Sequence, residues 1–153
     1  MGAGKSTKAM EMAREIGAIL LSEDDWLSKI YPEEINNFND YLKYSSRLKP
    51  LIKMHVQNIL KSGVSVVMDF PGNTRTQRAW FKEIFSEFNL PHRLIYLEAD
   101  DQLCLKRIAH RREVNPERAK FDTEEVFRHV TSYFQPPRTT EGFKIEVVNC
   151  TNA

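Results

Sequence analysis

Apolar residues recur along this chain in two modes, helical spacing and short unbroken runs, and the two alternate. Ala9, Met12, Ala13 and Ile16 share one helical face and Gly17 follows, which predicts a helix over 5–16. The run at 18–21 predicts a buried strand. Ser22 then opens a helix to about residue 30, stopped by Pro32. Tyr41, Leu42, Leu48, Leu51, Ile52, Ile59 and Leu60 make 38–61 amphipathic, and Pro50 is expected to break or kink that stretch or to begin a new helix.

The second half repeats the alternation. VSVVM at 64–68 is a continuous apolar run ending in Asp69, as suits a parallel strand covered on both faces. A helix is predicted over 76–88 with Ala79, Trp80, Ile84 and Phe88 inward, a strand over 93–97, and a helix over 101–112 carrying Leu103, Leu105 and Ile108. Another helix is predicted over 122–134, opened by a capping box of Asp122 with Glu125 and stopped by Pro136 and Pro137. A last strand is predicted over 143–148. Strands alternating with helices predict an α/β fold with a mainly parallel sheet.

Bulk properties narrow this picture without redirecting it. The 153 residues suit one domain over the whole chain, and a net charge of +1 gives no global signal for nucleic acid or acidic membranes. No apolar run approaches the roughly 18 residues that a membrane span needs, so no membrane partner is expected. Cys104 and Cys150 form no CxxC, and His55, His92, His110 and His129 are scattered, so no zinc site is expected and a reducing cytoplasm is the plain reading.

The chemistry enters at the first residues. Gly2, Ala3, Gly4, Lys5, Ser6 and Thr7 read GAGKST, the second half of the phosphate-loop pattern G-x-x-x-x-G-K-[ST]. Glycines let backbone amides face a polyphosphate, and the helix that follows points its positive end at the anion. Lys5 is then the charge for the β- and γ-phosphates and Ser6 the hydroxyl for Mg²⁺. The pattern's first glycine and the strand that would feed the loop fall ahead of Met1, so the natural protein is expected to be longer. Asp69, at the end of an apolar strand, has the Walker B arrangement and is the second expected metal ligand. An ordinary glycine-rich helix start and an ordinary turn aspartate are the plain alternatives.

With GAGKST, LLSEDDWL, VVMDFPGNT and CLKRIAHRR in this order, the chain resembles the P-loop kinase-like ATP-binding proteins, a group that includes polynucleotide 5′-kinases, zeta toxins and chloramphenicol phosphotransferase. It looks most like a bacterial subgroup of AAA-family ATP-binding proteins with a DFPGNT segment, here 69–74, and a late PP…EGF segment, here 136–143. The resemblance implies a three-layer α/β/α P-loop NTPase fold of strand order 2-3-1-4-5, with the first, central strand missing from this chain. It implies ATP and Mg²⁺ as cofactors and transfer of the γ-phosphate to a hydroxyl of a small molecule. A polynucleotide 5′-hydroxyl kinase and a non-catalytic nucleotide-binding protein are the alternatives.

Residue roles follow from the same resemblance. Asp24 matches the general base for the acceptor hydroxyl, while as a plain helix start Ser22 caps and Asp24 and Asp25 suit the positive helix end. Nucleic-acid kinases of the group carry an arginine three residues after that base; here it is Leu27, which weighs against a polynucleotide. Arg107 and Arg111 share a helical face and match lid arginines that contact nucleotide phosphates, with 106–121 as the lid segment; a solvated basic helix end is the alternative. Asn73, Thr74, Arg75 and Arg78 face the acceptor pocket or serve as turn and surface residues, and Trp26 and Trp80 line a pocket or belong to the core.

Overall fold

The computed structural model describes residues 1–150, the side chain of Glu117 excepted. It resolves into two compact units, one of residues 5–70 and one of residues 1–4 with 71 onward. The strands form two separate two-stranded parallel sheets, one in each unit. No helix among the described residues is long and apolar enough to cross a membrane.

The unit of residues 5–70 runs α1 (Lys5–Ile16), β1 (Ile19–Ser22), α2 (Glu23–Ile30), α3 (Phe38–Lys61) and β2 (Val66–Asp69). β1 and β2 pair in parallel, in a register that sets Ser22 beside Asp69. Ala9 and Ala13 of α1 are buried as expected, whereas Ile16, expected on the same face, is 48% exposed at the helix end. β1 gives way to α2 with no intervening residue, and Ser22 caps the helix by accepting from the Asp25 amide. Pro50 lies inside α3, which continues through it. A proline inside a helix costs about 3 kcal/mol. Leu48, Ile52 and Val56 are each at most 4% exposed, and such burial is worth roughly 1.5–3 kcal/mol per side chain, so the packed face outweighs the break.

The other unit contains α4 (Arg75–Ser86), β3 (Leu94–Glu98), α5 (Asp101–Val114), a 3₁₀ turn at Pro116–Lys120, α6 (Glu124–Ser132), a second 3₁₀ turn at Thr139–Glu141 and β4 (Ile145–Asn149). β3 and β4 pair in parallel over all five residues. Cys104, Ile108 and Phe127 form a core between α5 and α6, with Met1, Ala3, Ala99 and Leu105 packed on it.

Three expectations are corrected in this unit. The helix α4 starts one residue early because Thr74 and Gln77 form a capping box, with the Gln77 amide donating to Thr74 Oγ1 at 3.2 Å and Gln77 Oε1 accepting from the Thr74 amide at 3.1 Å. Arg78, not Ala79, faces inward and is 1% exposed. The cap of α6 is Thr123, which accepts from the Val126 amide, because the Asp122 carboxylate is taken by two arginines.

Candidate active site

The glycine turn is built on α5. Gly2 and Gly4 have φ of 75° and 93°, the left-handed region that glycine adopts without strain. A Cβ on Gly2 would stand 2.5 Å from the Cys104 carbonyl oxygen, so only glycine fits against that backbone. Arg107 Nη1 donates to the Ala3 carbonyl at 3.0 Å and lies 3.3 Å from where a Gly4 Cβ would be. Arg107 therefore touches the turn itself. Burial pushes the Cys104 thiol up in pKa, which keeps it protonated beneath the turn.

Within the unit of residues 5–70, Lys5, at the head of α1, ion-pairs with Asp69, at the end of β2. Asp69 is 4% exposed and its other oxygen lies 3.5 Å from Ser22 Oγ. A cavity of about 260 Å³ opens beside this group. Ser6, Ser22, Asp25 and Asp69 supply its polar wall, and Met10, Leu20 and Trp26 its apolar wall. Ser6 and Asp69 offer hard oxygen donors on one cavity, which fits Mg²⁺. Among the described residues no cluster of three or more His, Cys, Asp or Glu could hold a metal alone. That also suits Mg²⁺, which takes one or two protein oxygens and completes its shell with phosphate oxygens and water. Thr7 is exposed in the first turn of α1.

The acidic start of α2 divides its work. Glu23, 1% exposed, accepts from Tyr41 Oη at 2.5 Å and Ser45 Oγ at 2.6 Å, which docks α2 on α3. Burial first, and then the Glu23 charge, push the Tyr41 hydroxyl far above the ordinary tyrosine pKa. Asp24 is exposed and is not in the cavity wall; Asp25, one residue on, is. Asp25 Oδ2 accepts from Lys29 Nζ at 2.9 Å. Trp26 lines the cavity, with the His55 ring 6.1 Å from it.

Arg111 lies elsewhere on α5 from the contact with the turn. Its guanidinium donates through Nε and Nη2 to the two oxygens of Asp122, a fully buried carboxylate that Arg118 Nε also reaches at 3.1 Å. The 106–121 segment is thus the end of α5, running two residues past the helix expected over 101–112, and the 3₁₀ turn at Pro116–Lys120, tied down by Asp122. Arg78 is neither a surface charge nor exposed to an acceptor. Its Nε and Nη2 bind Glu141 at 2.7 and 2.9 Å, and its Nη1 binds the Gly72 carbonyl at 2.8 Å. The Asn73 carbonyl accepts from the Gln135 amide at 2.8 Å and the Arg75 amide donates to Gln135 Oε1 at 2.9 Å, so the PGNT turn and the start of α4 are knitted to Gln135, just ahead of the PP…EGF segment.

Sequence reasoning missed Glu23, Ser22 as a cavity hydroxyl, and the Arg78–Glu141 pair. The Thr74–Gln77 spacing was a readable signal for the helix start. Nothing local marked Glu23 or Arg78 as buried, because each is made tolerable by partners distant in sequence.

No curated protein sequence matches this chain. A family model described as an AAA domain matches residues 1–137. Most of its length is therefore accounted for by one family, and the chain belongs to the AAA domain family, a P-loop NTPase-like family that includes kinases.

Proposed function

We propose that this protein is an ATP-dependent phosphotransferase that moves the γ-phosphate to a hydroxyl of a small molecule. The observation that carries the reading is the meeting of Lys5 with Asp69, beside a cavity that Ser6 also lines. A lysine of a GKS sequence and a strand-end carboxylate are the two charges a metal–triphosphate needs at one place. For the fold we propose the three-layer α/β/α architecture; both sheets being parallel supports it.

Gly2, Ala3 and Gly4 present backbone amides, and Lys5 and Thr7 follow at the positive end of α1. Lys5 would pair with phosphate oxygens in place of Asp69, and Asp69 and Ser6 would hold the metal. Mg²⁺, when bound, would supply positive charge to offset that of the triphosphate. Arg107 exchanges the Ala3 carbonyl for a phosphate oxygen, since a guanidinium binds an anion more strongly than a neutral carbonyl. Arg111, committed to Asp122, holds the lid segment in shape. Asp25, which lines the cavity, is the carboxylate of α2 placed to orient the acceptor hydroxyl and take its proton, in place of the expected Asp24.

The test is titration of ATP with and without Mg²⁺, followed by a screen of hydroxylated acceptors for transfer of labelled γ-phosphate. Mg²⁺-dependent ATP binding with transfer supports the reading. Binding with no transfer to any acceptor favours a non-catalytic nucleotide-binding protein, and no binding ends it.

A further inference from the structure

We infer, resting on the phosphotransferase reading above, that Ser22 sets the metal preference of the site: it holds one oxygen of Asp69, so that only the other is offered to a cation, and Mg²⁺ is favoured over Ca²⁺. The two oxygens of Asp69 have separate partners. Lys5 ion-pairs with Oδ1, and Ser22 Oγ donates to Oδ2 at 3.5 Å. Ser6, Ser22 and Asp69 line one cavity. Pairing of Lys5 with phosphate would release Oδ1 and leave Oδ2 with Ser22. Asp69 then has one oxygen to give, not two.

Ser22 is placed to keep that division. The parallel register sets it beside Asp69, so the two side chains leave the same face of the sheet. Its backbone is extended, with φ of −116° and ψ of 122°, and its oxygen accepts from the Asp25 amide at 3.5 Å as the cap of α2. A hydroxyl has one proton to give and two lone pairs to receive, so both contacts are made at once. Strand pairing and the start of a helix together fix where that hydroxyl sits.

Coordination chemistry turns the division into selectivity. Mg²⁺ has a small octahedral shell and is held through few carboxylate oxygens, with phosphate oxygens and water completing it. Ca²⁺ takes more oxygens at longer distance and readily accepts both oxygens of one carboxylate. Asp25, the other carboxylate of the wall, is paired with Lys29. Oδ2 of Asp69 is therefore the oxygen that Ca²⁺ would gain if Ser22 let it go.

The test is calorimetric titration of ATP into the full chain at saturating Mg²⁺ and at saturating Ca²⁺, for the parent, Ser22→Gly, Ser22→Ala and Ser22→Thr. The readout is the ratio of the two dissociation constants. Glycine caps a helix nearly as well as serine and alanine does so poorly, so the first two variants lose the hydroxyl alike and differ in helix stability. Both are expected to reduce the preference for Mg²⁺ about fivefold, within the worth of one hydrogen bond. Ser22→Thr keeps the hydroxyl and should keep the parent's ratio. Circular dichroism and thermal melts verify the fold of each variant. Tight MgATP binding overturns this inference alone if the parent binds CaATP equally well or if Ser22→Gly leaves the ratio unchanged. A shift confined to Ser22→Ala, which would follow the lost cap, also overturns it alone. Failure of ATP to bind with either metal overturns the phosphotransferase reading and this inference with it.

Discussion

Lys5 and Asp69 form an ion pair across 64 positions of sequence, the lysine at the head of α1 and the carboxylate at the end of β2. Each is the other's partner while no triphosphate is present, and nucleotide binding has to part them. Lys5→Ala is expected to weaken MgATP binding by one to two orders of magnitude, since a charge-assisted contact is worth about 1.5–3 kcal/mol. Asp69→Asn should do the opposite for ATP without metal. It frees Lys5, which is half exposed, so the gain is about fivefold, corresponding to roughly 1 kcal/mol for such a pair. Calorimetric titration with Mg²⁺ and with EDTA reads both.

The glycine turn offers a steric test. Gly2→Ala places a Cβ against the Cys104 carbonyl, whereas Gly17→Ala, also at positive φ, meets nothing within 4 Å. Gly17→Ala should cost about 1 kcal/mol of backbone strain. Gly2→Ala should lose nucleotide affinity as well, because the turn has to move. Thermal melts and nucleotide titration of the two variants separate strain from clash.

Arg78 and Glu141 should behave as a buried pair. Removing one partner leaves the other charge uncompensated, and Arg78→Met is expected to cost about 3–5 kcal/mol in stability. The hydrogen bond from Arg78 holds the Glu141 carboxyl below its ordinary pKa. A depressed carboxyl contributes stability above its unfolded pKa, about 4.3 for glutamate, and loses it as pH falls through the folded value. Melting temperature followed into acid should therefore fall less steeply in Glu141→Gln than in the parent.

Tyr41 gives the alkaline counterpart. Its hydroxyl pKa is raised, so its contribution to stability is full below the ordinary tyrosine pKa of about 10 and declines above it. In an ultraviolet phenolate titration, one tyrosine is expected to ionise only as the protein unfolds, and Tyr41→Phe should remove that late step.

Asp122 decides what Arg111 does. If its role is to brace the lid segment, Arg111→Ala and Asp122→Ala should be non-additive in stability by about 1–3 kcal/mol. A double-mutant cycle measures this. Full additivity, with nucleotide affinity lost only in Arg111→Ala, would return Arg111 to direct phosphate contact.

Periodicity placed every helix and strand to within a few residues, because buried faces impose their spacing on the chain. It misjudged the edges wherever a polar side chain had been recruited by something far away. Asp122 looked like a cap and became an arginine partner, leaving Thr123 to cap α6. Arg78 looked like surface and is buried because Glu141, 63 positions on, neutralises it. The GAGKST pattern was legible because its residues are adjacent in the chain. The acidic start of α2 was less so. Asp24 and Asp25 are indistinguishable as letters, and only the placement of α2 on β1 tells which one reaches the cavity.

That placement leaves no slack. Because Ser22 is at once the last residue of a strand, the cap of the next helix and a neighbour of Asp69, there is no hinge between the strand beside Asp69 and the helix that presents Trp26. A molecule leaning on the indole pushes on a lever rooted in the strand. A substitution that displaces α2 is therefore expected to carry Asp25 and Trp26 along together and to be felt in β1.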